Sequence, residues 1–166
     1  MSKERKTALA YALDCLSRRP FGYAQLDERL RRKSYPAEER EEALRQLTER
    51  GYLDDVEYAR AFCHSKRRRF SRKSVAFKLV RQGIDKTIAA QAIGAEYSLE
   101  EEYRYCREHL LREWDKKPKK SIIDREESKH LFVSRIIRKF VRNGYPYDMV
   151  RKILEEDFYI NSSSET

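Results

Sequence analysis

Apolar residues recur at intervals of three and four along almost the whole chain. Leu9, Leu13 and Leu16 share one face, as do Leu26 with Leu30 and Leu44 with Leu47. That spacing predicts amphipathic helices. It returns over Tyr58 to Cys63, Val75 to Val80, Ile88 to Ile93 and Leu99 to Trp114. Val133, Ile136, Ile137, Phe140 and Val141 form a further apolar face, and a last helix runs from Asp148 to about Phe158. No segment sustains the alternation of a strand. The punctuation agrees: Pro36 suits the first position of a helix, Gly51 its end, and Asp54 or Asp55 can accept the free N–H groups of the next. Nine helices are expected.

The pattern also copies itself. A shift of 49 places Leu26, Leu30, Arg32, Ser34, Tyr35 and Leu44 on Val75, Leu79, Arg81, Gly83, Ile84 and Ile93. A further 61 places them on Ile136, Phe140, Arg142, Gly144, Tyr145 and Leu154. Each unit is too small to bury its apolar face alone, so copies must pack together. The expected fold is all-α, with three tandem three-helix repeats spanning residues 1–53, 54–97 and 98–160. The third carries a polar insertion from Asp115 to about Ser121, where Lys116, Lys117, Pro118, Lys119 and Lys120 read as a solvated loop. Residues 161–166 read as a frayed tail.

Charge changes the picture from scaffold to binding protein. Charged residues make up 39% of the chain and the net charge is +9. The middle repeat holds most of the excess, with 10 basic and 5 acidic side chains between residues 54 and 97. From Tyr58 to Ile84 there is no acidic residue. A balance of this kind attracts polyanions, nucleic acid or an acidic protein groove. No apolar run approaches the ~18 residues that a membrane span needs. The N-terminus has no apolar signal core, and Cys15, Cys63 and Cys106 are odd in number and widely separated. Both features read as a cytoplasmic protein with reduced thiols.

Lys66, Arg67, Arg68 and Arg69 stand together at a helix end, followed by Arg72 and Lys73. A helix dipole accounts for one or two such cations, not six. Lys78 and Arg81 continue the series off the apolar face, and Arg135, Arg138 and Arg142 form a similar stripe in the third repeat. These eleven are the candidate binding residues. Arg32, Arg81 and Arg142 recur in register and are candidates for equivalent contacts. Phe70 aligns with Phe21 and reads as core. Catalytic chemistry finds no support: there is no Gly-rich phosphate loop and no two-histidine helix motif. Asp54, Asp55 and Glu57 read as helix caps before metal ligands, Glu127 to His130 as a surface coincidence, and Cys63-His64 as neighbours pointing apart. No cofactor or metal is expected. No dimer seam is evident, so the chain reads as a monomer. A helix-turn-helix reader of duplex DNA is the alternative function, although three unequal units do not suit two-fold half-sites.

Gly51-Tyr52-Leu53-Asp54-Asp55-Val56-Glu57-Tyr58-Ala59 resembles the signature stretch of the bacterial RecX family. Arg19 to Leu26, Leu79 to Ile84 and Phe140 to Tyr145 resemble its flanking and third-repeat motifs. The resemblance spans about residues 8 to 157. It implies three tandem helix-turn-helix-like units in a curved, elongated molecule without a catalytic site. It further implies a modulator that binds RecA recombinase filaments on single-stranded DNA and usually suppresses ATP hydrolysis, strand exchange and co-protease activity. Double-stranded DNA is a further candidate ligand of the basic centre. Two positions depart from the family pattern: Ser71 stands where a Gly is usual, and Lys78 where a Glu is frequent.

Overall fold

The computed structural model describes residues 6–116 and 126–158, with side chains in the second stretch from His130 onward. The lysine run beyond Lys116 and the tail from 161 lie outside the described residues. Those residues form nine helices and no strand, as the periodicity predicts: α1 (Ala8–Leu16), α2 (Tyr23–Arg32), α3 (Ala37–Glu49), α4 (Asp55–Lys66), α5 (Arg72–Arg81), α6 (Lys86–Glu96), α7 (Leu99–Trp114), α8 (Glu126–Arg142) and α9 (Tyr147–Phe158). None of them is long and apolar enough to cross a membrane.

The three copies share one turn chemistry. After α2, α5 and α8 the chain enters the left-handed region at Ser34 (φ 59°), Gly83 (φ 87°) and Gly144 (φ 90°). The next residue in each case reaches back five positions: Tyr35 N–H donates to Leu30 O (3.3 Å), Ile84 to Leu79 (3.2 Å) and Tyr145 to Phe140 (3.1 Å). This is the Schellman closure, which satisfies helix-end carbonyls and swings the following apolar side chain inward. Tyr35, Ile84 and Tyr145 are all buried. Gly83 is needed twice over, because a Cβ there would collide with that of Ala24.

The fold divides into two compact units that do not follow the repeat boundaries. One comprises the chain up to His64 together with Ala76–Glu96, the other Ser65–Val75 together with the chain from Tyr97 onward. The dividing line passes through α5. In the first unit, α1, α2 and α3 enclose Ala12, Leu26, Leu30, Leu44 and Leu47. Thr7 caps α1 by accepting from Ala10 N–H, and Glu39 accepts from Ala8 N–H at 2.7 Å. In the second unit, α7, α8 and α9 enclose Cys106, Leu110, Ile136, Phe140, Ile153 and Leu154. Trp114 stacks on Phe158 with ring centroids 4.1 Å apart. Arg107 clamps Asp157 with two bonds of 2.6 and 2.7 Å.

Three sequence expectations shift. Helix α1 buries Ala8, Ala12 and Cys15, while Leu13 of the expected Leu9, Leu13 and Leu16 face is 37% exposed. Pro36 is the residue before α3 and serves as its N-cap, not its first position. Val141, read as part of the α8 core face, is 41% exposed. It follows Phe140 directly, and helical neighbours point about 100° apart, so burying Phe140 turns Val141 outward.

Candidate nucleic-acid interface

The basic run forms the end of α4 and the loop to α5, and the second unit holds that loop rigidly. Arg69 and Phe70 N–H groups donate to Lys66 O at 2.9 and 3.1 Å. The hydroxyl of Tyr97, a fully buried residue, donates to Phe70 O at 3.0 Å. Burial, the larger influence, pushes the His109 pKa down, while its hydrogen bond to the Arg68 backbone acts to raise it. Its Nδ1 lies 3.3 Å from the Tyr145 hydroxyl. The loop is therefore anchored through the carbonyls of Arg68 and Phe70, leaving its long side chains to point elsewhere.

The start of α5 is fixed by two further groups. Ser71, fully buried, accepts from Ser74 N–H at 3.1 Å and donates to Asn143 O at 2.8 Å; Ser74 Oγ donates to the same carbonyl at 2.5 Å. The Ser71 hydroxyl is thus an N-cap and a tether to the turn after α8. That tether brings the end of α8, with Arg142, against the start of α5. Glu102, only 3% exposed, accepts from Arg72 N–H at 2.8 Å. Burial raises the Glu102 carboxyl above its ordinary 4.5, outweighing the Arg72 backbone and charge, which act to lower it.

The candidate cations then separate by environment. Arg67 is drawn into the fold: it lies 3.3 Å from Glu101, a carboxylate shared with Arg104 and with the capping box that opens α7. Arg68 is exposed and bonds the Tyr105 hydroxyl; burial acts to raise that phenol, but Arg68 and Arg104 beside it bring the net shift downward. Arg69 and Lys73 are exposed, and neither has an ion-pair partner among the described residues. Lys66 and Arg72 are half-buried, and Arg72 Nε has no hydrogen-bond partner among the described residues. Arg135, Arg138 and Arg142 are exposed on α8; Arg135 lies over Phe132, and Arg138 bonds its own helix at Ser134 O. Lys139, beside them, is paired with Glu113 at 2.7 Å. Nine of the eleven candidates fall in the second unit. Lys78 (half-buried) and Arg81 (exposed) lie on the stretch of α5 that belongs to the first.

The three arginines in register are not equivalent. Arg32 pairs with Glu28 at 2.8 Å, and Arg31 takes the other oxygen at 2.7 Å. Together they push the Glu28 carboxyl down to about 2. Arg81 and Arg142 have no ion-pair partner among the described residues. Asp54 caps α4 through Val56 and Glu57 N–H groups, at 2.8 and 3.1 Å. Asp55 turns to α2 and accepts from Tyr23 N–H at 2.8 Å. Both are thereby occupied as caps. Cys63 is buried and its thiol is pushed up to about 11, by burial and then by Glu96, so it remains protonated beside exposed His64.

Sequence reasoning passed over Glu101, Glu102, Tyr97 and His109, and noted Ser71 without its role; these hold the basic loop. Only the Ser98-x-x-Glu101 capping-box spacing carried a local signal. Apart from the Ser71 cap on Ser74 N–H, the others act through contacts of 27 to 72 positions' separation, which no local pattern encodes.

Tandem helical repeats, one of which holds a basic loop, define a helical-repeat protein. The family comparisons agree on which one. A family model described as RecX, first three-helix domain, matches residues 8–47, and one described as RecX, second three-helix domain, matches residues 54–93. The regulatory protein RecX of Thermus thermophilus is 35% identical over 106 residues, covering 64% of this chain and 73% of that protein. That of Chromobacterium violaceum is 28% identical over 163 residues, covering 96% and 99%. The crystal structure of RecX from Lactobacillus salivarius has the same fold, with a TM-score of 0.72 at 18% identity over 92% of this chain and 96% of that one. The chain belongs to the RecX family of regulatory proteins.

Proposed function

We propose that this chain binds RecA recombinase filaments on single-stranded DNA and suppresses their ATP hydrolysis, strand exchange and co-protease activity. It acts in the cytoplasm as a monomer of three repeats, 1–53, 54–97 and 98–160, and makes or breaks no bond itself. Membership of the RecX family supports the regulatory role. The observation that carries the mechanism is the rigid loop presenting Arg68, Arg69 and Lys73 to solvent with the nearby carboxylates already engaged. Fixed cations of this kind bind a polyanion with little ordering cost and position the array without reading sequence. Lys66, Arg67, Arg72, Lys78 and Arg81 add to the field of the centre, and Arg135, Arg138 and Arg142 extend it. Bound across neighbouring recombinase subunits, the array obstructs the ATP-linked change or the entry of a second DNA.

The test is DNA-stimulated ATP turnover by the cognate recombinase, titrated with the chain. Suppression is expected below one chain per recombinase. Arg69→Glu combined with Lys73→Glu reverses two exposed charges without breaking an ion pair seen here, and is expected to raise the half-suppressing concentration about tenfold or more, since each charged contact is worth ~1 kcal/mol or so. Unchanged turnover at saturating chain would falsify the proposal.

A further inference from the structure

The outer face of α5 carries a ring that nothing in the fold requires. Phe77 is 62% exposed, Val80 beside it 37%, and the Arg81 guanidinium stands 5.7 Å from the Phe77 ring centroid. A lone exposed apolar residue is ordinary. The repeat register makes this one informative. The shift of 49 that aligns the copies puts Glu28, Arg31 and Arg32 where Phe77, Val80 and Arg81 stand. In the first repeat Glu28 bonds both arginines, at 2.7 and 2.8 Å, so neither guanidinium is without a carboxylate. In the second the carboxylate is replaced by an aromatic ring, and the arginine at the third position is retained.

We infer that Phe77 and Arg81 form a stacking station for an unpaired base, with Phe77 under the base and Arg81 on the adjoining phosphate. The inference rests on the functional reading above and adds a site to it. The chemistry of the occupant follows from charge: α5 and the whole stretch from Tyr58 to Ile84 lack a carboxylate, so the complement is anionic. It follows also from shape. Aromatic anchors of protein partners fill pockets, whereas this patch is one ring and one small apolar neighbour wide, enough for a single base. Every base has a π-face, so such a station is tolerant of sequence. A duplex hides those faces, which makes the ligand single-stranded.

The experiment uses the full chain without recombinase, so its outcome is read separately from the turnover assay. Anisotropy of a labelled thymidine strand is compared with an abasic strand of equal length. Phe77→Ala is expected to weaken binding to the thymidine strand by roughly tenfold, within the range stacking gives, and to leave the abasic strand unaffected. Its log–log salt slope stays as in the parent, while Arg81→Ala lowers the slope by about 0.7. Phe77→Trp retains affinity, and its emission is quenched by the thymidine strand. Phe77→Glu, which restores the first repeat's arrangement, abolishes the preference for bases. Equal losses on both strands, parental affinity of Phe77→Ala, or no binding of the thymidine strand at low salt each overturn the inference. Parental affinity for the strand together with weakened capture by recombinase filaments would instead make Phe77 a protein contact.

Discussion

A single residue exposes how the copies diverged. The turn after each second helix needs a left-handed residue, supplied by glycine at 83 and 144 but by serine at 34, where φ is 59°. That conformation brings Cβ against the following carbonyl at a cost of about 1–2 kcal/mol for a residue other than glycine. Glycine's larger unfolded-state entropy returns part of it. Ser34→Gly is therefore expected to stabilise the chain by about 1 kcal/mol, seen as a higher urea midpoint at unchanged m-value. A lower midpoint would mean that the exposed hydroxyl makes a bond worth more than the strain. Ser71 shows the opposite bargain: its hydroxyl caps α5 and ties it to Asn143.

Among the elements, α5 is held at its N-terminus by Glu102, a buried carboxyl that accepts from Arg72 N–H. The sign of its pH effect follows from the raised carboxyl. Between 4.5 and the higher native value the folded state binds the proton that the unfolded state has released. Stability is then lost as pH rises through that window and is fully regained below it. Glu102→Gln keeps an oxygen to accept the Arg72 N–H but cannot ionise. The difference in unfolding free energy between variant and parent is expected to grow in the variant's favour from pH 4.5 towards neutrality, measured by urea titration. A constant difference would show that the carboxyl titrates normally in the folded chain. At this scale much was legible in the sequence. The span Leu99 to Trp114 coincides with α7 because the Ser98–Glu101 capping box and a strong apolar stripe mark it locally. Phe77 was not legible as a site, because an apolar residue two positions after Val75 falls off the core stripe and looks like noise in the period. Its exposure is a tertiary fact.

For the molecule as a whole, the net charge of +9 is less telling than which cations lack a carboxylate. Lys6, Arg18, Arg31, Arg32, Arg40 and Arg45 of the first repeat are all paired, as are Arg60, Arg67 and Arg107 further along. If Arg68, Arg69, Lys73 and Arg81 each neutralise one phosphate of a single strand, the log–log slope of affinity against salt is about −2.8. Arg69→Ala with Lys73→Ala brings it to about −1.4 on the same counting. Fluorescence titration across a salt series measures both. A slope that ignores these substitutions would move the nucleic-acid contact to other cations.

The helices, their ends, the threefold copying and the concentration of positive charge around residues 58 to 84 followed from the sequence, since each depends on neighbours within a turn or on a fixed period. Resemblance in short motifs placed the chain in its family for the same reason. The fate of each charge did not follow. Whether an arginine meets water or a glutamate thirty or more positions away is settled only when helices pack, and desolvation then decides which carboxylates cap, which pair and which stay buried. That is why Arg67 and Arg69, two positions apart in an unbroken basic run, end in different roles: one facing Glu101, the other facing solvent.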